Sequence, residues 1–247
     1  MPAIPPEALL LAPVVILAYA TQAFTGFGGA LVALTLGANF IPVAELVPIL
    51  VAPSVAVTGT LAIRHRRDVD WRILISQIFP FMGAGIVAGL VAWEVLRGLT
   101  PAWILGVIVV VFAARQLWLV ARGREGAAGL NRLQAGILQF LAGVTHAFYT
   151  AGGPFLIYTV SRMNLPKRVF RATLCVVWAV FNSALCVVFL ANGRIDSRSL
   201  SMTVPILLAL PVGVAAGEFL HDRVNEHTFR VLTYTLLLLS GIPLMFK

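Results

Sequence analysis

Thr21-Gln22-Ala23-Phe24-Thr25-Gly26-Phe27-Gly28-Gly29 lies inside an apolar stretch that runs from about residue 8 to 41. A helix crosses a bilayer in about 20 residues, so this stretch holds more than one rod. Glycines near its middle are where the rod is expected to break. A second long stretch, 132–161, has the same character, with Thr150-Ala151-Gly152-Gly153-Pro154 inside it. Six further apolar stretches, 43–63, 71–93, 101–121, 168–191, 199–220 and 227–246, each suit a single crossing. Trp71 and Trp93 bracket the third stretch 22 residues apart, about 33 Å of helix, as an aromatic belt would.

Composition agrees with that reading. Of 247 residues 60% are apolar and 11% charged, and the mean hydropathy is +0.94. A soluble domain carries about 25% charge, so this chain could not cover a globular surface with polar groups. A cytosolic enzyme, a nucleic-acid-binding module and a disordered tail are excluded, and a multi-pass membrane protein is expected. The first apolar run has no Lys or Arg before it, so no cleaved signal peptide is expected. Cys175 and Cys186 share one stretch, about 16 Å apart along a helix, too far to bridge.

The net charge of +8 is chiefly a signal of sidedness. Basic residues cluster in the connections at 64–72, 115–132 and 162–171, with Arg97, Arg194, Arg198, Arg223, Arg230 and Lys247 elsewhere. If all eight stretches simply cross, the better orientation puts 11 basic residues inside and 7 outside. If the fifth stretch dips in and returns, the split is 14 to 4, much closer to the positive-inside bias. With the first stretch re-entrant as well, both termini lie outside and the protein sits in the inner (plasma) membrane.

Landmarks also recur between the halves. Gly28-Gly29 and Pro42 match Gly152-Gly153 and Pro166 at an offset of 124. Val69-Asp70 matches Ile195-Asp196 at 126, and Gly85-x-x-x-Gly89 matches Gly213-x-x-x-Gly217 at 128. The expected architecture is an all-α polytopic membrane protein of two repeats, 1–125 and 126–247. Each repeat is a glycine-broken, re-entrant helix pair plus three transmembrane helices. Three crossings are an odd number, so the repeats are inverted, a recurring plan of secondary transporters. The alternative is a bundle of eight simple crossings. The glycine pairs at 85/89 and 213/217 read as helix-contact faces, and such faces allow a homodimer.

A half-helix that starts at mid-depth presents free N–H groups and a positive dipole end, which attract anions. Gly26, Phe27, Gly28 and Gly29 supply one such start; Gly152 and Gly153, followed by Pro154, supply the other. Two opposed starts would make a compact oxyanion site. Gln22 and Thr25 accompany the first break, and Thr145, His146, Tyr149 and Thr150 the second. These side chains donate hydrogen bonds without an opposing formal charge, and His146, at Gln22 plus 124, is the one clearly mid-segment ionisable residue. His146 reads either as a titrating group or as a neutral ring that satisfies freed carbonyls. The glycines equally suit plain close helix approach. Thr58, Trp178 and Asn182 are weaker, as pocket lining or ordinary packing. No dinucleotide fingerprint, paired acids or His-Glu-x-x-His motif is present, so neither a catalytic residue, a metal nor a cofactor is expected.

In these residues the chain resembles the TauE/SafE family of membrane anion exporters. The resemblance rests on Thr21-Gln22-x-x-Thr25-Gly26-Phe27-Gly28-Gly29, Arg64-His65-Arg66-Arg67-x-Val69-Asp70-Trp71, and Gly152-Gly153-Pro154 followed by Tyr158. Leu165-Pro166-Lys167-x-x-Phe170-Arg171-Ala172-Thr173, Phe229-Arg230 and Ser240-Gly241 complete it. At 146–151 the chain departs from the glycine-richer run of many members. The resemblance implies export of sulfite, sulfoacetate or related organosulfur anions, with lipid and a small anionic substrate as partners and no nucleic acid. Another oxyanion or carboxylate, carried in either direction, and an anion channel are the alternatives. No Asp or Glu lies deep in a stretch, which disfavours a carboxylate cation site or proton relay, although backbone carbonyls at the breaks could hold Na⁺.

Overall fold

A computed structural model describes residues 6–96, 102–123, 130–150 and 152–246. Arg97, Arg124 and Lys247 of the charge pattern, and Ala151 of the second glycine run, lie outside the described residues. Among the described residues the fold is all-helical. The first long stretch is two helices, α1 (Pro6–Thr25) and α2 (Gly29–Gly37), followed by α3 (Val43–Arg64). A short α4 (Trp71–Ile73) runs through a π turn, Leu74–Ile78, into α5 (Phe79–Leu96), and α6 is Ala102–Ala121. The second long stretch is α7 (Arg132–Tyr149) and α8 (Gly153–Ser161), followed by α9 (Lys167–Ala191), α10 (Ser197–Arg223) and α11 (Glu226–Leu244). Both long stretches therefore break where glycine interrupts them.

Among the described residues, four segments are long and apolar enough to cross a membrane: Val43–Arg64, Trp71–Trp93, Lys167–Ala191 and Ser197–Arg223. The nine-residue α2 and α8 are about 13 Å long, under half the ~30 Å hydrocarbon core. Side chains spaced by a turn on α5 (Val87, Val91, Val95) and on α10 (Leu200, Val204, Leu208, Val212) are exposed. Such a ridge suits lipid, not water. Several helix starts are capped by short polar side chains. Asp70 accepts from the Ile73 amide at 3.0 Å, and its counterpart Asp196 accepts from the Ser199 amide at 2.8 Å. Asn131 and Gln134 close a reciprocal capping box at the start of α7.

The chain packs as two compact units that cut across its two sequence halves. One comprises residues 1–67 and 174–223, the other 68–173 and 224–247. In the first, α1 packs along α10, and α2 folds back antiparallel to α1. A Cβ on Gly29 would meet Gln22 and the Ala18 carbonyl, and one on Gly37 would meet Leu11 and Leu46. Tyr19 Oη donates to the Leu50 carbonyl of α3 at 2.9 Å, and Glu218 of α10 binds Arg64 and His65 at the end of α3. In the second unit α7 packs along α5, and α6 along α11.

The two main pairings match residue by residue. A Cβ on Gly213 would sit against Ile16 and Ala20 of α1, and one on Gly217 against Ala20 and Ala23. A Cβ on Gly85 would sit 2.0 Å from the Phe140 carbonyl of α7, and one on Gly89 against Val144 and Ala147. Phe140, Val144 and Ala147 are Ile16, Ala20 and Ala23 plus 124. One turn further along each stripe, His221 packs edge-on against Phe24, and Trp93 packs against Phe148. Trp93 is thus half-buried on an aromatic neighbour, whereas Trp71 is exposed as a belt residue is. Both glycine stripes are filled inside their own units, so they supply no ground for a dimer.

Candidate functional site: two interrupted helices

The first break is built entirely from α1 and α2. Gly26 and Gly28 have φ of 85° and 83°, a left-handed backbone that residues with a Cβ resist. Two such residues within three turn the chain back on itself. The Thr25 hydroxyl holds the turn: it lies 2.8 Å from the Thr21 carbonyl and 2.6 Å from the Phe27 carbonyl, and it accepts from the Phe27 amide at 3.1 Å. Gln22 spans the break. Its Oε1 accepts from the Gly29 amide at 2.8 Å, and its Nε2 donates to the Gly26 carbonyl at 3.3 Å. One orphan amide at the start of α2 is therefore capped by a carboxamide from the preceding helix. Gln22, Thr25, Gly26, Phe27 and Gly29 are buried, and Gly28 is half-buried.

The second break is made differently. Thr150 takes the left-handed conformation at φ 52° and donates through Oγ1 to the Tyr149 carbonyl at 2.7 Å. Gly152 has an ordinary φ of −71° and is required for space, since a Cβ there would lie 2.3 Å from the Ala142 carbonyl and 3.0 Å from the His146 Cβ. Ala142 and His146 are Ala18 and Gln22 plus 124, so Gly152 makes the close approach that Gly29 makes in the first unit. His146 is fully buried. Thr145 Oγ1 is turned onto its own helix, 2.9 Å from the Leu141 carbonyl. Tyr149 and Gly153 are half-buried beside the break, and Pro154 enters α8 in its first turn.

Of the weaker candidates, Thr58 and Asn182 come together in the first unit. Asn182 Nδ2 donates to Ser54 Oγ at 2.8 Å, and Thr58 Oγ1 donates to the Ser54 carbonyl at 2.6 Å. The Asn182–Ser54 bond is an interhelical contact between α3 and α9, whereas the Thr58 bond stays within α3. Trp178 is buried in the same unit.

A second buried histidine, His221, lies in the last turn of α10, its Nδ1 2.8 Å from the Phe24 carbonyl. Phe24 lies in the last turn of α1, where carbonyls have lost their helical partners, and His221 satisfies one of them. Its signal in the sequence is its place one turn after Gly213 and Gly217, on the face that meets α1. Arg171, read as part of a basic loop, is likewise buried within α9.

Spanning-length helices with lipid-suited ridges and two helices interrupted by buried polar turns define a multi-pass membrane protein. Residues 11–244 match the family model described as sulfite exporter TauE/SafE, and the chain belongs to that family. No curated protein and no solved structure matches it. The family is one of membrane transporters of anions, so this chain is a transporter for a small anionic substrate and not an enzyme.

Proposed function

We propose that the protein is a secondary transporter that exports sulfite, sulfoacetate or a related small organosulfur anion across the cytoplasmic membrane by alternating access. The observation that carries this reading is the pair of interrupted helices, each followed by a nine-residue half-helix that begins at a largely buried turn. After the Gln22 cap, the helix-start rule leaves the Ala30 and Leu31 amides as donors in α2; in α8 it leaves those of Gly153 and Phe155, since Pro154 has none. Gln22, Thr25 and Gly26 to Gly29 at the first break, and Thr145, His146, Tyr149, Thr150, Gly152 and Gly153 at the second, are the residues proposed to bind anion.

The matched packing of α1 on α10 and of α7 on α5 supports two repeats of one plan. With three crossings per repeat the second is inverted, both re-entrant pairs dip and return, and both termini lie outside. A cell interior negative by about 100 mV favours anion exit by ~2.3 kcal/mol per charge, so export needs no coupling ion. Proteoliposomes loaded with labelled sulfite test this. Saturable efflux that grows with an imposed potential is expected; flux indifferent to potential refutes uniport of net charge. Unitary currents in place of saturable flux would make the protein a channel.

A further inference from the structure

The second unit holds a recess that neither break uses. The C-terminal ends of α6 and α8 and the N-terminal ends of α9 and α11 surround a narrow cavity of about 40 Å³. Its rim carries the half-buried cations Arg162, Lys167 and Arg230 against one carboxylate, Glu226. That carboxylate is turned to the chain itself, because Glu226 Oε1 accepts from the Lys167 amide at 3.0 Å. Lys167 Nζ in turn lies 2.6 Å from the Val224 carbonyl, which fixes the ammonium at the rim. The starts of α9 and α11 add the positive ends of two helix dipoles. The walls are apolar and aromatic, with Val120, Val160, Phe170 and Phe229 among them, and the two phenylalanines pack edge to face.

Two polar side chains inside this recess decide its meaning. Gln116 is 5% exposed and Thr233 2%, and both line it. Neither Gln116 Nε2 nor Thr233 Oγ1 has a hydrogen-bond partner among the described residues. A buried donor without an acceptor costs about 1–3 kcal/mol, and two on one cavity wall are explained by a ligand that accepts from both. The cationic rim gives that ligand negative charge, and the aromatic walls give it an apolar portion.

We infer that this recess is a second anion site, which binds an oxyanion headgroup carrying an apolar chain. The headgroup accepts from Gln116 and Thr233 and pairs with the cations of the rim, and the chain lies on the aromatic wall. By the positive-inside reading the recess opens on the cytoplasmic side, where basic pockets between helices hold anionic lipid headgroups. The same chemistry is offered by an anionic phospholipid and by a soluble alkyl phosphonate, and the test separates them.

Purified full-length protein in neutral detergent is titrated with hexylphosphonate, with hexanol as the uncharged control. In parallel, protein from nanodiscs of phosphatidylcholine with or without phosphatidylglycerol is examined by native mass spectrometry for retained lipid. Gln116→Leu combined with Thr233→Val removes both donors and no hydrogen bond, so the variant is expected to fold at least as stably as the parent. It should bind hexylphosphonate, or retain phosphatidylglycerol, at least about tenfold more weakly. Arg230→Gln should weaken binding by a similar factor and flatten its salt dependence. Retained phosphatidylglycerol that the double variant loses assigns a bilayer source; binding of the soluble probe alone assigns a cytoplasmic one. Failure of the parent to bind either, equal binding of hexanol, or a double variant that binds as the parent does, overturns the site. Because binding is read without flux, these outcomes do not depend on the transport assignment.

Discussion

The two breaks are solutions to one problem made from different residues. In the first, two glycines take the left-handed backbone and Gln22 ties the end of α1 to the start of α2 with a hydrogen bond in each direction. In the second, Thr150 takes the left-handed backbone itself, and His146 stands where Gln22 does. A carboxamide is neutral at every physiological pH and fixes its turn. An imidazole has an unperturbed pKa near ~6.5 and can change its charge within that range. The two breaks therefore differ in one side chain, a carboxamide in the first and an imidazole in the second, and the pH dependence of flux tests whether that difference matters. Similar packing around both, glycine stripe against broken helix, shows that the frame is shared and the difference is local.

The largest expected effect breaks the frame. Gly217→Ala and Gly85→Ala put a methyl group 2.3 Å and 2.0 Å from backbone carbonyls of α1 and α7. Backbone cannot give as a flexible side chain can, and a cost at or above the ~3 kcal/mol upper range of overpacking is expected. Loss of monodisperse protein by fluorescence-detected size exclusion is the readout. Gly59→Ala, whose Cβ would meet nothing within 4 Å, should leave the profile unchanged. Next comes Gln22→Ala, which strands the Gly29 amide and should cost about 1–3 kcal/mol. A thermal midpoint equal to the parent's would deny Gln22 its capping role. Gly28→Ala follows at about 1–2 kcal/mol, with the backbone the whole cause, since its Cβ would make only an ordinary 3.6 Å contact with Thr21.

The contrast in charge is sharpened by His146→Gln, which makes the second break resemble the first. If the imidazole titrates during transport, sulfite flux from about pH 5.5 to 8 should lose its pH dependence. An unchanged profile assigns His146 to packing. Smallest is Thr150→Gly, which relieves a left-handed threonine and should stabilise by about 1 kcal/mol or less, since glycine gives back unfolded-state entropy. A destabilised variant would mean that the Thr150 hydroxyl matters more than its backbone.

Much of this was legible in the residues. The stretches at 8–41 and 132–161 announced two interrupted helices by their length and their central glycines, and the breaks fall between Thr25 and Gly29 and between Tyr149 and Gly153. Gly85/Gly89 and Gly213/Gly217 were readable as contact faces because small residues at i,i+4 permit close approach. Their partners were not, since spacing along a helix says nothing about which other helix fills the groove. The Gln22 cap was hidden for a related reason. Seven residues separate Gln22 from Gly29 in sequence, and only the reversal at Gly26 and Gly28 brings carboxamide and amide together. The partner of His221 was hidden as well, because it is a carbonyl of α1, and a main-chain acceptor carries no side-chain signature.

The ridge on α10 has a consequence for handling the molecule. Leu200, Val204, Leu208 and Val212 stand outward at successive turns, with Leu208 79% exposed. Each such side chain moved from water to hydrocarbon releases about 1.5–3 kcal/mol if fully covered, so this one line of four favours an oily surround by several kcal/mol. Stripped of its amphiphile, the protein would satisfy that ridge against another copy of itself, and precipitation on detergent removal would precede any loss of its internal fold.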